Sequence, residues 1–238
     1  EHVAGRAPVI VTVSHFSTAI AVRRAREAAA MGASMVMMMP PYHGVGLVPD
    51  EQGIFQHYAA VSDAISIPIM VQDAPISGCS LSVPLLARMA REIENVSYFK
   101  LEMPFAADKL EALISAGGEY VVGPFDGEEA ATLLADLDAG ATGTMTSALQ
   151  PELIRPIVID FRAGRQEAAL EQWRRCLPLI NHENRQCGLR AAKVVMKEGG
   201  VIRSDFVRHP LKPMSERTRI RLLSLARELE LVALNWGK

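Results

Sequence analysis

The sequence predicts an α/β fold of parallel βα units, closed as a barrel rather than left open as a doubly wound sheet. Three observations carry this. Short β-branched or Met-rich runs alternate with longer stretches of helical period. The dinucleotide fingerprint and the P-loop are absent, and the nearest glycine clusters, Gly44-Val45-Gly46 and Gly117-Gly118, have the wrong spacing. Finally, the predicted strands end in polar or backbone-special residues: Ser14-His15, Pro41-Tyr42, Gln72-Asp73, Lys100 and Glu102, Gly123, and Thr146-Ser147. Barrel enzymes collect their chemistry at those ends.

Six strands are predicted in order, over residues 8–14, 35–40, 67–73, 96–102, 120–123 and 141–146. Helical period fills 18–31, 50–65, 82–93, 106–116 and 128–138, several of these opened by a Thr, Asp or Ser suited to an N-cap. Gly32, Gly117 and Gly140 stand where helices should stop. From Pro151 the period stays helical, over 151–162, 165–180, 183–197 and 215–234. We therefore read residues 1–150 as the strand-bearing part and 151–238 as the last barrel helix with a helical extension. No low-complexity linker separates them, and no repeat is found beyond the βα rhythm.

Composition narrows the function. The 238 residues carry 25 basic and 27 acidic side chains, a net charge of −2, and 49% are hydrophobic. Near-neutral charge without a Lys/Arg block lacks the electrostatic footprint of a nucleic-acid or anionic-membrane binder. No apolar run reaches the roughly 18 residues of a membrane span. Cys79, Cys176 and Cys187 are odd in number and far apart, which fits a reducing cytoplasm better than a disulfide framework. The histidines, His2, His15, His43, His57, His182 and His209, show no metal-ligand spacing, so no metal is assigned. Met35, Met37, Met38 and Met39 read as soft core packing. A small-molecule enzyme is the favoured class.

The most informative stretch is Val96-Ser-Tyr-Phe-Lys-Leu-Glu102. An unpaired ammonium inside an apolar strand is costly, so Lys100 is either paired or used. Because strand side chains alternate faces, Lys100 and Glu102 project together, their Cα atoms roughly 6 to 7 Å apart. Burial lowers a lysine's pKa and favours a free amine, which can attack a ketone to form an imine. A carboxylate beside it can move a proton at the adjacent carbon. The same spacing also fits a structural Lys/Glu ion pair, and a single K-x-E does not choose between them.

Taken together, the motifs resemble the dihydrodipicolinate synthase/N-acetylneuraminate lyase family of Schiff-base class I aldolases over essentially the whole chain. The matching pieces are Pro41-Tyr42, Gln72-Asp73-Ala74-Pro75 for the family's Y-N-x-P segment, Lys100 for its imine-forming lysine, Gly123 for the glycine ending strand seven, and Gly140 to Ser147 for strand eight. The resemblance implies a (β/α)8 TIM barrel with a C-terminal helical extension. In that register the six strands are numbers three to eight, so we expect the first two βα units, with the family's carboxylate-gripping turn, to lie on an upstream segment. It further implies homodimers or homotetramers and a small 2-keto acid substrate, with no cofactor beyond Lys100.

Two departures sharpen the reading. Gln72 stands where family aldolases place a proton-relaying tyrosine, and an amide cannot ionise. His43 replaces a second tyrosine. Gln72-Asp73-Ala74-Pro75 with Phe99-Lys100-Leu101-Glu102 is similar to the branch that eliminates water from 2-keto-3-deoxy sugar acids. The expected catalytic residues are Lys100, Glu102 and Gln72; the expected substrate-binding residues are Tyr42, Gly123, Met145, Thr146 and His15. For Tyr42 the competing role is packing, for Thr146 ordinary strand preference, and for His15 and its neighbours Ser14, Ser17 and Thr18 helix capping. A pyruvate-dependent aldolase or synthase is the alternative enzyme, and a non-catalytic barrel remnant the alternative of another class.

Overall fold

The computed structural model describes residues 2–42 and 47–236. His43 and the Gly44-Val45-Gly46 cluster lie outside the described residues. Among the described residues six strands form one sheet in strict sequence order: β1 (Ile10–Thr12), β2 (Met35–Met38), β3 (Ile69–Asp73), β4 (Val96–Leu101), β5 (Gly123–Asp126) and β6 (Gly143–Thr144). The pairs from β1 to β5 are parallel. Strand order never reverses, so the sheet has no topological switch point of the kind that defines a doubly wound fold.

Between the strands run α1 (Thr18–Ala30), α2 (Glu51–Ser62), α3 (Val83–Glu92), α4 (Ala106–Gly117) and α5 (Leu133–Asp138). After β6 come α6 (Pro151–Arg162), α7 (Gln166–His182), α8 (Arg190–Glu198), α9 (Glu216–Glu228) and α10 (Val232–Asn235). Among the described residues no helix is long and apolar enough to cross a membrane. The predicted caps hold for α2 and α3: the Asp50 carboxylate accepts from Gly53 N at 2.7 Å, and the Ser82 hydroxyl from Leu85 N at 3.2 Å. The chain divides into two compact units. One comprises the residues up to Gly127 with Asp138–Gly143; the other comprises Glu128–Leu137 with the residues from Thr144 on.

The first unit is built on alternation. Val36, Met38, Ile69, Val71, Phe99 and Leu101 are all fully buried. On α3 the buried side chains Leu85, Leu86, Met89 and Ala90 recur at helical spacing, as an amphipathic helix covering a sheet requires. In the second unit a separate apolar cluster joins Leu149, Leu179, Cys187, Val195, Leu222, Ala226 and Leu231.

Several boundaries differ from the sequence reading: the strands predicted at 8–14 and 141–146 shorten to Ile10–Thr12 and Gly143–Thr144, and the helix predicted over 215–234 is broken between α9 and α10, where Glu230 is left-handed (φ 53°). Three further differences have local causes. The predicted strand 120–123 lies three residues later, at Gly123–Asp126, because Gly118–Tyr120 close a 3-10 turn and Pro124 sits inside the strand. Pro124 lacks an N–H, yet its carbonyl accepts from both the Thr142 N–H (2.7 Å) and the Thr142 hydroxyl (3.1 Å). A residue's N–H and C=O leave a strand on the same side, so the missing donor faces the two-residue β6, where little ladder is lost. The predicted helix 128–138 loses its first turn, since Glu129 (φ 56°) and Ala130 (φ 68°) are left-handed. The predicted helix 183–197 is split: Glu183–Cys187 widens into a π turn and Gly188 (φ 59°) ends it before α8.

Candidate active site

The register of β3, β4 and β5 places the candidate residues Gln72 and Lys100 in a row. Gln72 pairs with Lys100, and Lys100 with Phe125; one layer below, Met70 pairs with Tyr98 and Tyr98 with Gly123. In-register neighbours share a face, so Gln72, Lys100 and Glu102 project together from the carboxyl ends of two adjacent strands. Leu101 and Asp73 point to the other face, where both are fully buried.

Lys100 is 7% exposed, the burial its position in an apolar strand demands. Its Nζ donates to Glu102 Oε2 at 2.8 Å, and Gln72 Nε2 donates to the same oxygen at 2.7 Å. Neither donor uses Glu102 Oε1. Glu102 is the first residue past β4, and its side chain keeps 29% of its surface exposed. Its backbone N–H donates to the Asp73 carbonyl at 2.9 Å, which ties the end of β4 to that of β3. An amine, a carboxylate and an amide thus meet at one oxygen, with the carboxylate side chain partly exposed.

This arrangement can do specific chemistry. Glu102 is within proton-transfer distance of the lysine nitrogen, as a base assisting imine formation must be. Gln72 supplies a neutral donor that fixes the carboxylate without competing for the proton.

The other sequence candidates are dispersed. Tyr42 is half-buried in the segment after β2, beside Pro41, whose carbonyl accepts from the Cys79 thiol at 3.6 Å. His15 follows β1, but its Nδ1 accepts from Ser17 N at 2.9 Å, a turn before α1. Ser14 does not cap that helix: its hydroxyl accepts from Met39 N at 2.9 Å and joins the ends of β1 and β2. Met145 and Thr146 lie beyond the two residues of β6, in the second unit, where the Thr146 hydroxyl meets the Glu129 carbonyl at 3.5 Å.

Gly123 requires a correction. It opens β5 rather than ending it, a layer below Lys100, and a Cβ there would stand 2.3 Å from the Tyr98 ring. The residue makes room for an aromatic side chain. The glycine that follows the strand is Gly127, where a Cβ would meet the Leu101 carbonyl at 2.7 Å and Glu102 Cβ at 2.8 Å. Gly127 N also donates to Leu101 O at 2.8 Å. Sequence reasoning missed this position. The signal was a second glycine four residues on, at the end of Gly123-Pro-Phe-Asp-Gly127.

Comparison with known proteins follows the same lines. The dihydrodipicolinate synthetase family model matches residues 1–229. L-2-keto-3-deoxyarabonate dehydratase from Azospirillum brasilense is 58% identical over 237 residues, covering 100% of this chain and 77% of that protein. A 4-hydroxy-tetrahydrodipicolinate synthase from Acidiphilium cryptum is 29% identical over 231 residues, covering 96% of this chain and 76% of its own. In structure, the dihydrodipicolinate synthase from Aquifex aeolicus superposes with a TM-score of 0.88 at 23% identity, over 96% of this chain and 77% of that one. With a family model spanning nearly all of its length, and a lysine held where the motifs put it, the chain belongs to the dihydrodipicolinate synthetase family.

Proposed function

We propose that the protein is a hydro-lyase that acts through a Lys100 Schiff base on a 2-keto-3-deoxy sugar acid, dehydrating L-2-keto-3-deoxyarabonate to 2-oxoglutarate semialdehyde. The observation that carries this reading is the convergence of Lys100 and Gln72 on Glu102 Oε2. The likeness to the Azospirillum brasilense dehydratase supports the substrate.

Lys100 Nζ adds to the C2 ketone and water leaves, giving the protonated imine. Glu102 removes a C3 proton, and the enamine expels the C4 hydroxyl as water, protonated by the same carboxyl group. The conjugated imine then loses a C5 proton and regains one at C3, converting the C5 alcohol to an aldehyde through its enol. Hydrolysis frees the product and Lys100. The balance is substrate minus one water, with no oxidant or reductant.

Retro-aldol cleavage would begin instead with a base on the C4 hydroxyl. Gln72 has no ionisable proton for that task, which ranks the aldolase second. In this reading the six strands are three to eight of a (β/α)8 barrel. Residues 1–150 supply them, 151–238 supply the last barrel helix and the extension, and the protein works in the cytoplasm as a homodimer or homotetramer. Substrate contacts are assigned to Tyr42, Met145, Thr146 and His15.

Product analysis tests the reaction. With L-2-keto-3-deoxyarabonate the semialdehyde should accumulate without free pyruvate; pyruvate with glycolaldehyde would install the aldolase. Borohydride reduction in the presence of a 2-keto acid should fix its mass on Lys100, and a full-length, folded preparation that forms no adduct would leave only the non-catalytic remnant.

A further inference from the structure

A second lysine–carboxylate pair lies directly behind the site. Asp73, the last residue of β3, has its carboxyl on the face opposite Gln72 and is fully buried. Its Oδ2 accepts from Lys109 Nζ, on α4, at 2.6 Å. The same ammonium donates to the Leu81 carbonyl. One cation therefore fastens both ends of the loop that leads from β3 to α3, and α4 to both.

We infer that Asp73 and Lys109 are a positioning pair for the reaction proposed above: they fix the end of β3 so that Gln72 and the Asp73 carbonyl hold Glu102 at its working distance from Lys100. Three connections lead from the pair to the site. Gln72 is the residue before Asp73 and bonds the Glu102 carboxylate. The Asp73 carbonyl receives the Glu102 N–H at 2.9 Å. The clamped loop is stiffened by the Ser77 hydroxyl, which donates to Ala74 O at 2.9 Å, and it carries Cys79, whose thiol reaches Pro41 O beside Tyr42.

Stability alone gives a poor account of such a pair. Burial pushes the Asp73 carboxyl up from its ordinary range against the opposing pull of Lys109 and of the Leu81 backbone, and among the described residues Asp73 Oδ1 makes no well-formed hydrogen bond. A buried ion pair is commonly no better for stability than apolar side chains of the same volume. What apolar groups cannot do is fix a backbone carbonyl and a carboxylate around one point, and proton transfer is sensitive to displacements of about 1 Å.

The test uses the full-length enzyme and the variants Lys109→Met, Lys109→Arg and the double variant Asp73→Leu/Lys109→Met. The single Lys109→Met leaves a buried carboxylate unpaired and can unfold; the double variant removes both charges while keeping the branched shape of Asp73 and most of the length of Lys109. We expect the double variant to melt close to the parent, to yield the same borohydride adduct on Lys100 and to keep KM within about threefold, while kcat falls about 10- to 100-fold. Lys109→Arg, which keeps the cation, should recover most of kcat. Parental kcat in the double variant overturns the inference. A large drop in its melting temperature, or loss of the adduct, overturns it equally, because the pair would then serve stability or Lys100 rather than Glu102. Failure of the parent to form adduct or semialdehyde would instead remove the functional reading itself.

Discussion

Two lysines meet two carboxylates at the carboxyl ends of β3 and β4, on opposite faces of the sheet, and their surroundings differ. Asp73 keeps only 1% of its side-chain surface exposed and its cation 14%; Glu102 keeps 29% against 8% for Lys100. In the outer pair the carboxylate is sealed and the ammonium also serves a carbonyl. In the inner pair the amine is the sealed member, and the carboxylate opens outward. A pair can carry a reaction only if a substrate can reach it and a proton has somewhere to go, so the inner pair is suited to chemistry and the outer to geometry. Sequence distance points the same way: the inner partners are two residues apart and the outer ones 36.

The largest effect should come from the inner amine. Lys100→Ala is expected to abolish the borohydride adduct and lower turnover by about 10³-fold or more, since the nucleophile itself is gone. Residual turnover near that of the parent would reduce the inner pair to a second structural one. Next comes Glu102→Gln, which keeps both oxygen and shape but cannot take a proton. Adduct should still form while kcat falls roughly 10²- to 10⁴-fold, the usual worth of an acid–base group; unchanged turnover would make Glu102 a structural partner only. Gln72→Leu removes one charge-assisted hydrogen bond of about 1.5–3 kcal/mol, so kcat should drop about 10- to 100-fold with Lys100 still trapped. An increase in aldol cleavage by Gln72→Tyr would show that this position sets the reaction's direction.

The smallest effect concerns another buried carboxyl, in the second unit. Glu183 receives the Ser147 hydroxyl and faces Glu129; burial, then the Glu129 charge, push its pKa up to about 7 from 4.5. A carboxyl raised on folding binds more protons in the native state. Its contribution is greatest below pH 4.5 and fades as pH rises to about 7. Glu183→Gln should remove that decline, so between pH 5 and pH 8 the melting temperature of the parent should fall by roughly a few degrees more than the variant's. Parallel profiles would mean that Glu183 is solvated like an ordinary surface acid. His57, lowered to about 4 chiefly by burial, acts with the opposite sign in an overlapping range, so the comparison must be between parent and variant.

Much of this was legible in the chain. The alternation of short apolar runs with helical period located five of the six strands and placed the remaining one three residues early, because a parallel sheet covered by helices imposes it, and the period of two already set Lys100 and Glu102 side by side. Where prediction slipped, a local rule had lost to the sheet. The strand predicted at 120–123 runs over Gly123–Asp126, since Gly118–Tyr120 form a turn and Pro124 is tolerated beside the short β6, so Gly123 opens the strand and Gly127 follows it. The helical period through Glu183–Cys187 could not show a π turn, because a single widened turn of five residues is too short to register in a period read over three turns or more.

What the sequence by itself determined is the set of reactive groups and the face they share, since both follow from covalent geometry and strand period. Only the tertiary structure decided which partner each group would have. Lys109 finds Asp73, and Gln72 finds Glu102, across separations of 36 and 30 residues that no period encodes. Those meetings depend on how β3, β4 and α4 come into register. Register follows from packing of the apolar faces, a property of the folded chain as a whole and not of any short segment within it.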